Sequence, residues 1–235
     1  MIKAVLFDLD GTLLQMDNDE FIKQYFKGLT AKLVKNGADG NKVAAAVWHG
    51  TELMAKSDGS RMNKENFWLG FAEAYGRSPN EKESALFDEF YEKDFDEIKE
   101  ISAYNEGARE VIDILKSKGI RTVLATNPVF PPIATAKRMS WTGIGFDDFE
   151  LVTHYENSRF CKPSKGYYLD IIKAIGVLPE ECLMVGNDAF EDMMALKLGM
   201  DGFLVTDWLI NKKNEDISAY RRGSFAELIE YVKSL

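Results

Sequence analysis

The apolar run Ala4-Val5-Leu6-Phe7 stops abruptly at Asp8-Leu9-Asp10-Gly11-Thr12, and the same transition recurs along the chain. Val123-Leu124-Ala125 runs into Thr126-Asn127, and Leu183-Met184-Val185 runs into Gly186-Asn187-Asp188. Short uninterrupted apolar runs read as strands of a parallel sheet with both faces covered. Helical periodicity fills the intervals, as in Glu106 to Lys118 before Gly119, so the predicted class is α/β with a doubly wound parallel, Rossmann-like core sheet. Strands are predicted at 121–127, 182–187, near 149–154 and near 203–206. Sheets of this kind gather their chemistry at the carboxyl ends of the strands, where these polar residues fall.

Asp8 and Asp10 lie two apart and share a face of an extended chain, while Gly11 permits a sharp exit that brings backbone and carboxylates to one ligand. Two carboxylates in a dry site repel unless a cation joins them. A hard divalent ion, magnesium foremost, with an anionic substrate resolves that conflict. Thr126 and Asn127 end the second run just before the Pro128–Pro132 turn, where a hydroxyl and nearby N–H groups can meet a phosphoryl oxygen. Taken alone, they equally suit local side-chain-to-backbone bonding at a strand end.

Lys162 precedes Pro163, which suits the first turn of a helix. That places Lys162 at a helix N-terminus, where a cation is favoured only beside an anion, either a phosphate or an aspartate; Lys165 is read as a surface lysine. In the last motif Asp188 and Asp192 stand four apart, so both can face a metal across one helical turn, although acids there also serve as caps.

Together these residues are similar to those of the haloacid-dehalogenase (HAD) superfamily of hydrolases, in the phosphoglycolate-phosphatase-like branch with a helical C1-type cap. The resemblance rests on Asp8-Leu9-Asp10-Gly11-Thr12, Thr126, Lys162 and the Gly186–Asp192 run, in family order. It implies a phosphatase acting on a small phosphorylated metabolite, with Asp8 as nucleophile and Asp10 as general acid and base. Thr126, Asn127 and Lys162 would bind the phosphoryl group. Magnesium would sit on Asp8, the Asp10 carbonyl and an acid of the last motif.

Family spacing of four back from Asp192 selects Asp188, and spacing of five selects Asn187. A carboxylate is the better ligand, so Asp188 is expected on the metal, with Asn187 and Asp192 in support. Dehalogenating members lack the second aspartate, because halide leaves unprotonated. Asp10 therefore favours phosphate esters. A phosphomutase using the same phosphoaspartate, or a non-catalytic phosphometabolite-binding protein, remain alternatives.

The 235 residues carry a formal net charge of -9, which disfavours nucleic acid and anionic membrane surfaces as partners. No apolar run reaches about eighteen residues, and the chain is expected to be cytoplasmic, with a monomer plausible and Cys161 and Cys182 as reduced thiols.

Residues 16–101 change character. The stripe Phe21, Tyr25, Leu29, Leu33, a second segment capped by Asn41, an aromatic segment after Asn63 and a last one opened by Pro79 predict a four-helix insertion. The expected division is a core of 1–15 and 102–235 with a cap of 16–101, hinged near Gln15 and at Ser102–Asn105. Trp48, Phe67, Trp68 and Phe71 are expected in the cap core by their spacing. Asp17, Asp19, His49 and Arg61 could read a leaving group, but solvation, capping or packing accounts for each.

Overall fold

The computed structural model describes residues 1–235. There are eight strands, β1 (Ala4–Phe7), β2 (Gln15–Met16), β3 (Ser102–Ala103), β4 (Arg121–Leu124), β5 (Leu151–Val152), β6 (Cys182–Gly186), β7 (Asp201–Val205) and β8 (Arg222–Gly223), with helices between all but β1 and β2 and β7 and β8. Six of them form one parallel sheet in the order β5-β4-β1-β6-β7-β8. β1 is fully buried between β4 and β6, with Phe7 opposite both Leu124 and Val185. The chain builds outward from β1 to β5 and then returns to the other side of β1, so the sheet's topological switch lies at β1, and the carboxyl ends of β1, β4 and β6 open beside one another.

Helices α5 (Glu106–Ser117), α6 (Pro132–Trp141), α7 (Lys165–Ile175) and α8 (Phe225–Ser234) accompany the sheet. α5 buries Ala108, Val111, Ile112 and Leu115 at the predicted spacing. α8 begins at the capping box of Ser224 and Glu227. Three local expectations change. β4 ends at Leu124 rather than 127: the Ala125 amide still donates to the Phe7 carbonyl at 2.7 Å, and Thr126 and Asn127 then form a loop. α7 starts at Lys165 under a Ser164 cap, and Pro163 lies before it in a cis peptide with Lys162. Lys162 is therefore positioned by a loop and not by a helix N-terminus. β8, absent from the sequence reading, pairs Leu204 with Arg222 and Val205 with Gly223; two residues carry too little pattern to be seen.

Between β2 and β3 the chain is wholly helical: α1 (Asn18–Lys35), α2 (Gly40–Ala55), α3 (Asn63–Tyr75) and α4 (Glu81–Glu89), continued by a π-helical turn at Phe90–Asp94 and a 3-10 turn at Phe95–Ile101. α1 buries Phe21, Tyr25, Leu29 and Leu33 as its stripe predicts. The caps fall one or two residues from those expected: Asp39 rather than Asn41 opens α2, and Asn80 rather than Pro79 opens α4. β2 and β3 pair antiparallel, Gln15 with Ala103 and Met16 with Ser102, which clamps the two connectors side by side. The N-terminus of α3 rests on the sheet layer. The Asn63 side chain, wholly buried, donates to the Pro128 carbonyl at 3.1 Å and the Phe160 carbonyl at 3.3 Å, and the Lys64 amide donates to the Tyr155 carbonyl at 2.8 Å.

The aromatic expectation divides. Phe67 and Phe71 are buried, whereas Trp48 is 60 % exposed and Trp68 half-buried. Spacing along α2 assigns a side chain to a stripe but cannot show that the stripe opposite Trp48 is a cleft rather than another helix. No helix is long and apolar enough to cross a membrane. Cys161 and Cys182 are both buried free thiols.

Candidate active site

Asp8 follows β1 directly, its amide donating to the Val185 carbonyl at 2.8 Å, so the first residue past the strand is still held by β6. The chain then turns. Gly11 has φ +82°, and a Cβ there would collide with the Asn187 amide, so both the left-handed backbone and the close approach require glycine. Thr12 is buried beneath the turn, where its hydroxyl donates to Asn187 Oδ1 at 3.2 Å and lies 3.5 Å from Asp8 Oδ2.

Lys162 reaches across from the loop before α7. Its ammonium is 1 % exposed and contacts Asp8 Oδ1 at 2.7 Å and Asp192 Oδ1 at 2.6 Å. Burial opposes that charge, but Asp192 and Asp8 outweigh it and hold the lysine well above its ordinary value. Burial raises the Asp192 carboxyl against the pull of Lys162. A Cβ at Gly186 would overlap the Asp192 carboxylate, so glycine at the end of β6 makes room for this pair.

Asp10 Oδ2 pairs with the Arg138 guanidinium from α6, while Oδ1 is buried with no hydrogen-bond partner. Burial pushes the Asp10 carboxyl up to about 6, against the opposing field of Arg138. Thr126 presents its backbone carbonyl to Thr153 Oγ1 and Tyr167 Oη, at 2.7 and 2.9 Å, which fixes the loop after β4. Asn127 ties the next two elements, its amide donating to Glu191 at 3.1 Å and its oxygen accepting from the Lys162 amide at 3.3 Å.

The last motif is organised by its own backbone. Asp188 Oδ1 accepts from the Phe190 and Glu191 amides at 2.8 Å each, and the Asp188 amide donates to Asp192 Oδ2 at 2.9 Å. Asn187 is occupied at both ends: its oxygen accepts from Thr12, and its nitrogen donates to the Trp208 carbonyl at 2.6 Å. Burial drives the nearby Glu191 carboxyl up to about 8.

Asp8, Asp10, Thr126, Asn127, Lys162, Asn187, Asp188 and Asp192 all line one cavity of about 380 Å³ between the sheet's carboxyl edge and the helical layer. Two contributors were not singled out from the sequence. Arg138 is an arginine on the buried side of α6, next to Ala134 and Thr135; its place on an apolar stripe was the available signal. Glu191 stood inside the last motif without a role. Trp48, expected in the cap core, instead lines the cavity with its side chain largely exposed. The residues weighed as leaving-group readers stand elsewhere: Asp17 caps α1, His49 bonds Glu73 at 3.1 Å, Arg61 is exposed and Asp19 pairs with Lys212 at 2.7 Å.

The haloacid dehalogenase-like hydrolase family model matches residues 2–199. This chain belongs to that family. Among relatives of the hydrolase, YhcW of Bacillus subtilis is 23 % identical over 230 residues, covering 97 % of this chain and 94 % of that one. The structure of CbbY from Rhodobacter sphaeroides in complex with phosphate superposes with a TM-score of 0.61 at 19 % identity, covering 97 % of this hydrolase and 96 % of CbbY. An L-2-haloacid dehalogenase from Xanthobacter autotrophicus superposes at 0.57 and 18 % identity over the full length of both chains. The fold is thus common to phosphate-binding and dehalogenating proteins, and the side chains must distinguish the chemistry.

The donor set suits a hard divalent cation. Asp8, Asp10, Asp188, Glu191 and Asp192 face one cavity beside only two lysines, Lys162 and Lys212, a concentration of carboxyl oxygens of the kind a hard ion such as magnesium takes as ligands. No three acidic, histidine or cysteine side chains form a complete cage. Remaining ligands would come from backbone, water and substrate oxygens, as is usual for magnesium.

Proposed function

We propose that this hydrolase is a magnesium-dependent phosphatase that cleaves small phosphate monoesters through an aspartyl phosphate on Asp8. The observation that carries the reading is the pairing of Asp8 with Lys162 at 2.7 Å, with Asp10 two residues on at the same cavity. A nucleophilic carboxylate, a cation for the transferring phosphoryl group and a second carboxyl for the leaving oxygen are the parts that phosphoryl transfer needs.

Asp8 attacks phosphorus as the ester P–O bond breaks. The Asp10 carboxyl, raised toward neutrality by burial, gives its proton to the departing alkoxide, so an alcohol leaves. Asp10, now a carboxylate, takes a proton from water; the oxygen attacks phosphorus, the aspartyl P–O bond breaks, and inorganic phosphate and free Asp8 result. Lys162 and the Thr126 hydroxyl hold the phosphoryl oxygens, with Asn127 bracing the Lys162 loop.

Asp8, the Asp10 carbonyl and Asp188 would hold magnesium. The Asp188 carboxylate commits only Oδ1 to the backbone amides, leaving Oδ2 for a ligand, whereas Asn187 has both side-chain atoms bonded. When bound, the ion supplies charge neutralisation to the attacking carboxylate and the phosphoryl oxygens. The helical layer from Asn18 to Ile101 would act as a cap that excludes bulk water during transfer.

The test is phosphate release from p-nitrophenyl phosphate and a panel of small esters, with and without magnesium, using Asp8→Asn as the blank. Magnesium-dependent release absent from the variant supports the reading. No release by folded protein from any ester would remove it.

A further inference from the structure

The half of the cavity facing away from Asp8 carries a chemistry of its own. Its walls are aromatic: Tyr25, Phe26, Trp48, Trp68, Phe87 and Tyr91 come from the four helices and the π-helical turn and meet Phe130 from the sheet layer. The polar atoms there are largely satisfied already. The Tyr25 and Tyr91 hydroxyls bond each other at 2.8 Å, and the Thr51 hydroxyl donates to the Val47 carbonyl at 2.9 Å. Trp48 leaves its indole 60 % exposed, 6.0 Å from the Phe26 ring, an apolar face with little protein to cover it.

The charges are as telling. The helical layer contributes one charged side chain to the lining, Asp88, and no lysine or arginine. Lys162 is held by Asp8 and Asp192, and Lys212, the other lysine of the lining, stands at the solvent-exposed rim beside Asp19, away from the aromatic wall's own side chains. A second phosphate or a carboxylate on the leaving group, lodged against that wall, would meet Asp88 and aromatic rings and no cation of the helical layer, which costs desolvation without return.

From this aromatic, cation-free wall we infer that the enzyme selects monoesters of uncharged alcohols bearing a planar or bulky apolar group, and discriminates against leaving groups with a second phosphate or a carboxylate. The inference rests on the phosphatase reading and adds the substrate class to it. The aromatic group packs against the wall at the exposed Trp48 ring while the ester phosphorus meets Asp8.

The experiment compares kcat/KM for 2-phenylethyl phosphate, ethyl phosphate, phosphoglycolate and 1,3-propanediol bisphosphate, whose leaving oxygens are all primary alkoxides, with acetyl phosphate as a donor too small to reach the wall. The expected order places 2-phenylethyl phosphate about tenfold or more above ethyl phosphate, with the two anionic esters below ethyl phosphate. Trp48→Ala should pull the phenylethyl-to-ethyl ratio toward one, mainly through KM. Asp88→Lys should raise use of the bisphosphate relative to ethyl phosphate. Turnover of acetyl phosphate with phosphoglycolate or the bisphosphate preferred, or with no phenylethyl advantage, overturns the inference and leaves the phosphatase standing. Failure of folded enzyme to release phosphate from every donor, acetyl phosphate included, overturns both.

Discussion

Arg138 and Asp10 form an ion pair beneath the cavity floor, with the guanidinium only 1 % exposed. The arginine lies over Phe130, 4.6 Å from the ring centroid, and 5.6 Å from that of Phe21. Its Nε and a terminal nitrogen also reach the Ala134 carbonyl and the Thr135 hydroxyl. A buried cation with one carboxylate partner fixes which Asp10 oxygen is left for the leaving group. In the proposed mechanism Arg138 is a positioning residue.

Arg138→Met should therefore lower kcat by about a hundredfold with a smaller change in KM, since displacement of a reacting group by about 1 Å has that effect. It should also destabilise the fold by about 3–5 kcal/mol, as breaking a buried pair leaves an unpaired charge. Arg138→Lys should recover part of the stability and less of the kcat, because an ammonium cannot hold the same bidentate-capable plane. Steady-state kinetics beside urea melts would check this; unchanged kcat in a destabilised Arg138→Met would reduce the arginine to a packing role.

Asp8→Asn should remove about four orders of magnitude or more of kcat while the protein still melts cooperatively, since Lys162 keeps Asp192 as partner. Asp10→Asn should slow alkyl esters by about 10²–10⁴-fold and p-nitrophenyl phosphate far less, because only a poor leaving group needs the proton. Equal losses on the two esters would remove the general-acid role.

Asp188→Ala should raise the magnesium concentration giving half-maximal rate more than Asn187→Ala does. It should also cost about 1 kcal/mol of stability, since Asp188 Oδ1 holds the Phe190 and Glu191 amides as a cap does. Magnesium titrations of both variants decide the point, and a larger shift for Asn187→Ala would move the ligand to that residue.

Away from the cavity, Asp148 accepts from Arg109 at 2.7 Å, from Lys116 at 2.7 Å and from the Gly145 amide at 2.8 Å. Hydrogen bonding to Arg109 chiefly holds its carboxyl well below the usual range. A depressed folded value means the contribution is complete above the unfolded value, near pH 4, erodes progressively below it and is gone only once pH has fallen through the folded value. Asp148→Asn should cost about 1–2 kcal/mol at pH 7, with the gap to the parent narrowing by pH 3. Urea melts at both values measure it, and a gap of the same size would show that the carboxylate charge is not what stabilises this corner.

Sequence by itself determined the class of fold and the polar residues that follow its central strands, because both are written in local chemistry; where each strand stops was not, since β4 ends at Leu124 and β5 spans only Leu151–Val152. An apolar run of four or five residues that stops at an acid, a hydroxyl or a glycine, repeated between helical stretches, is the pattern of strands in a parallel sheet covered on both faces. β1, β4 and β6 follow that rule with Asp8, Thr126 and Asn187 just beyond them. Helical stripes such as Phe21, Tyr25, Leu29 and Leu33 are equally local.

What only the tertiary structure decided depends on distances between residues far apart in the chain. Arg138 meets Asp10 across 128 positions and Lys162 meets Asp8 across 154, and no periodicity encodes such pairs. Trp48 repeats at core spacing yet faces a cleft, because a helix fixes which side chains share a face but not what lies opposite it. The Lys162 loop and the two-residue β8 were likewise set by neighbours: buried charge finds its partner, and a short edge strand forms where β7 offers unpaired backbone groups.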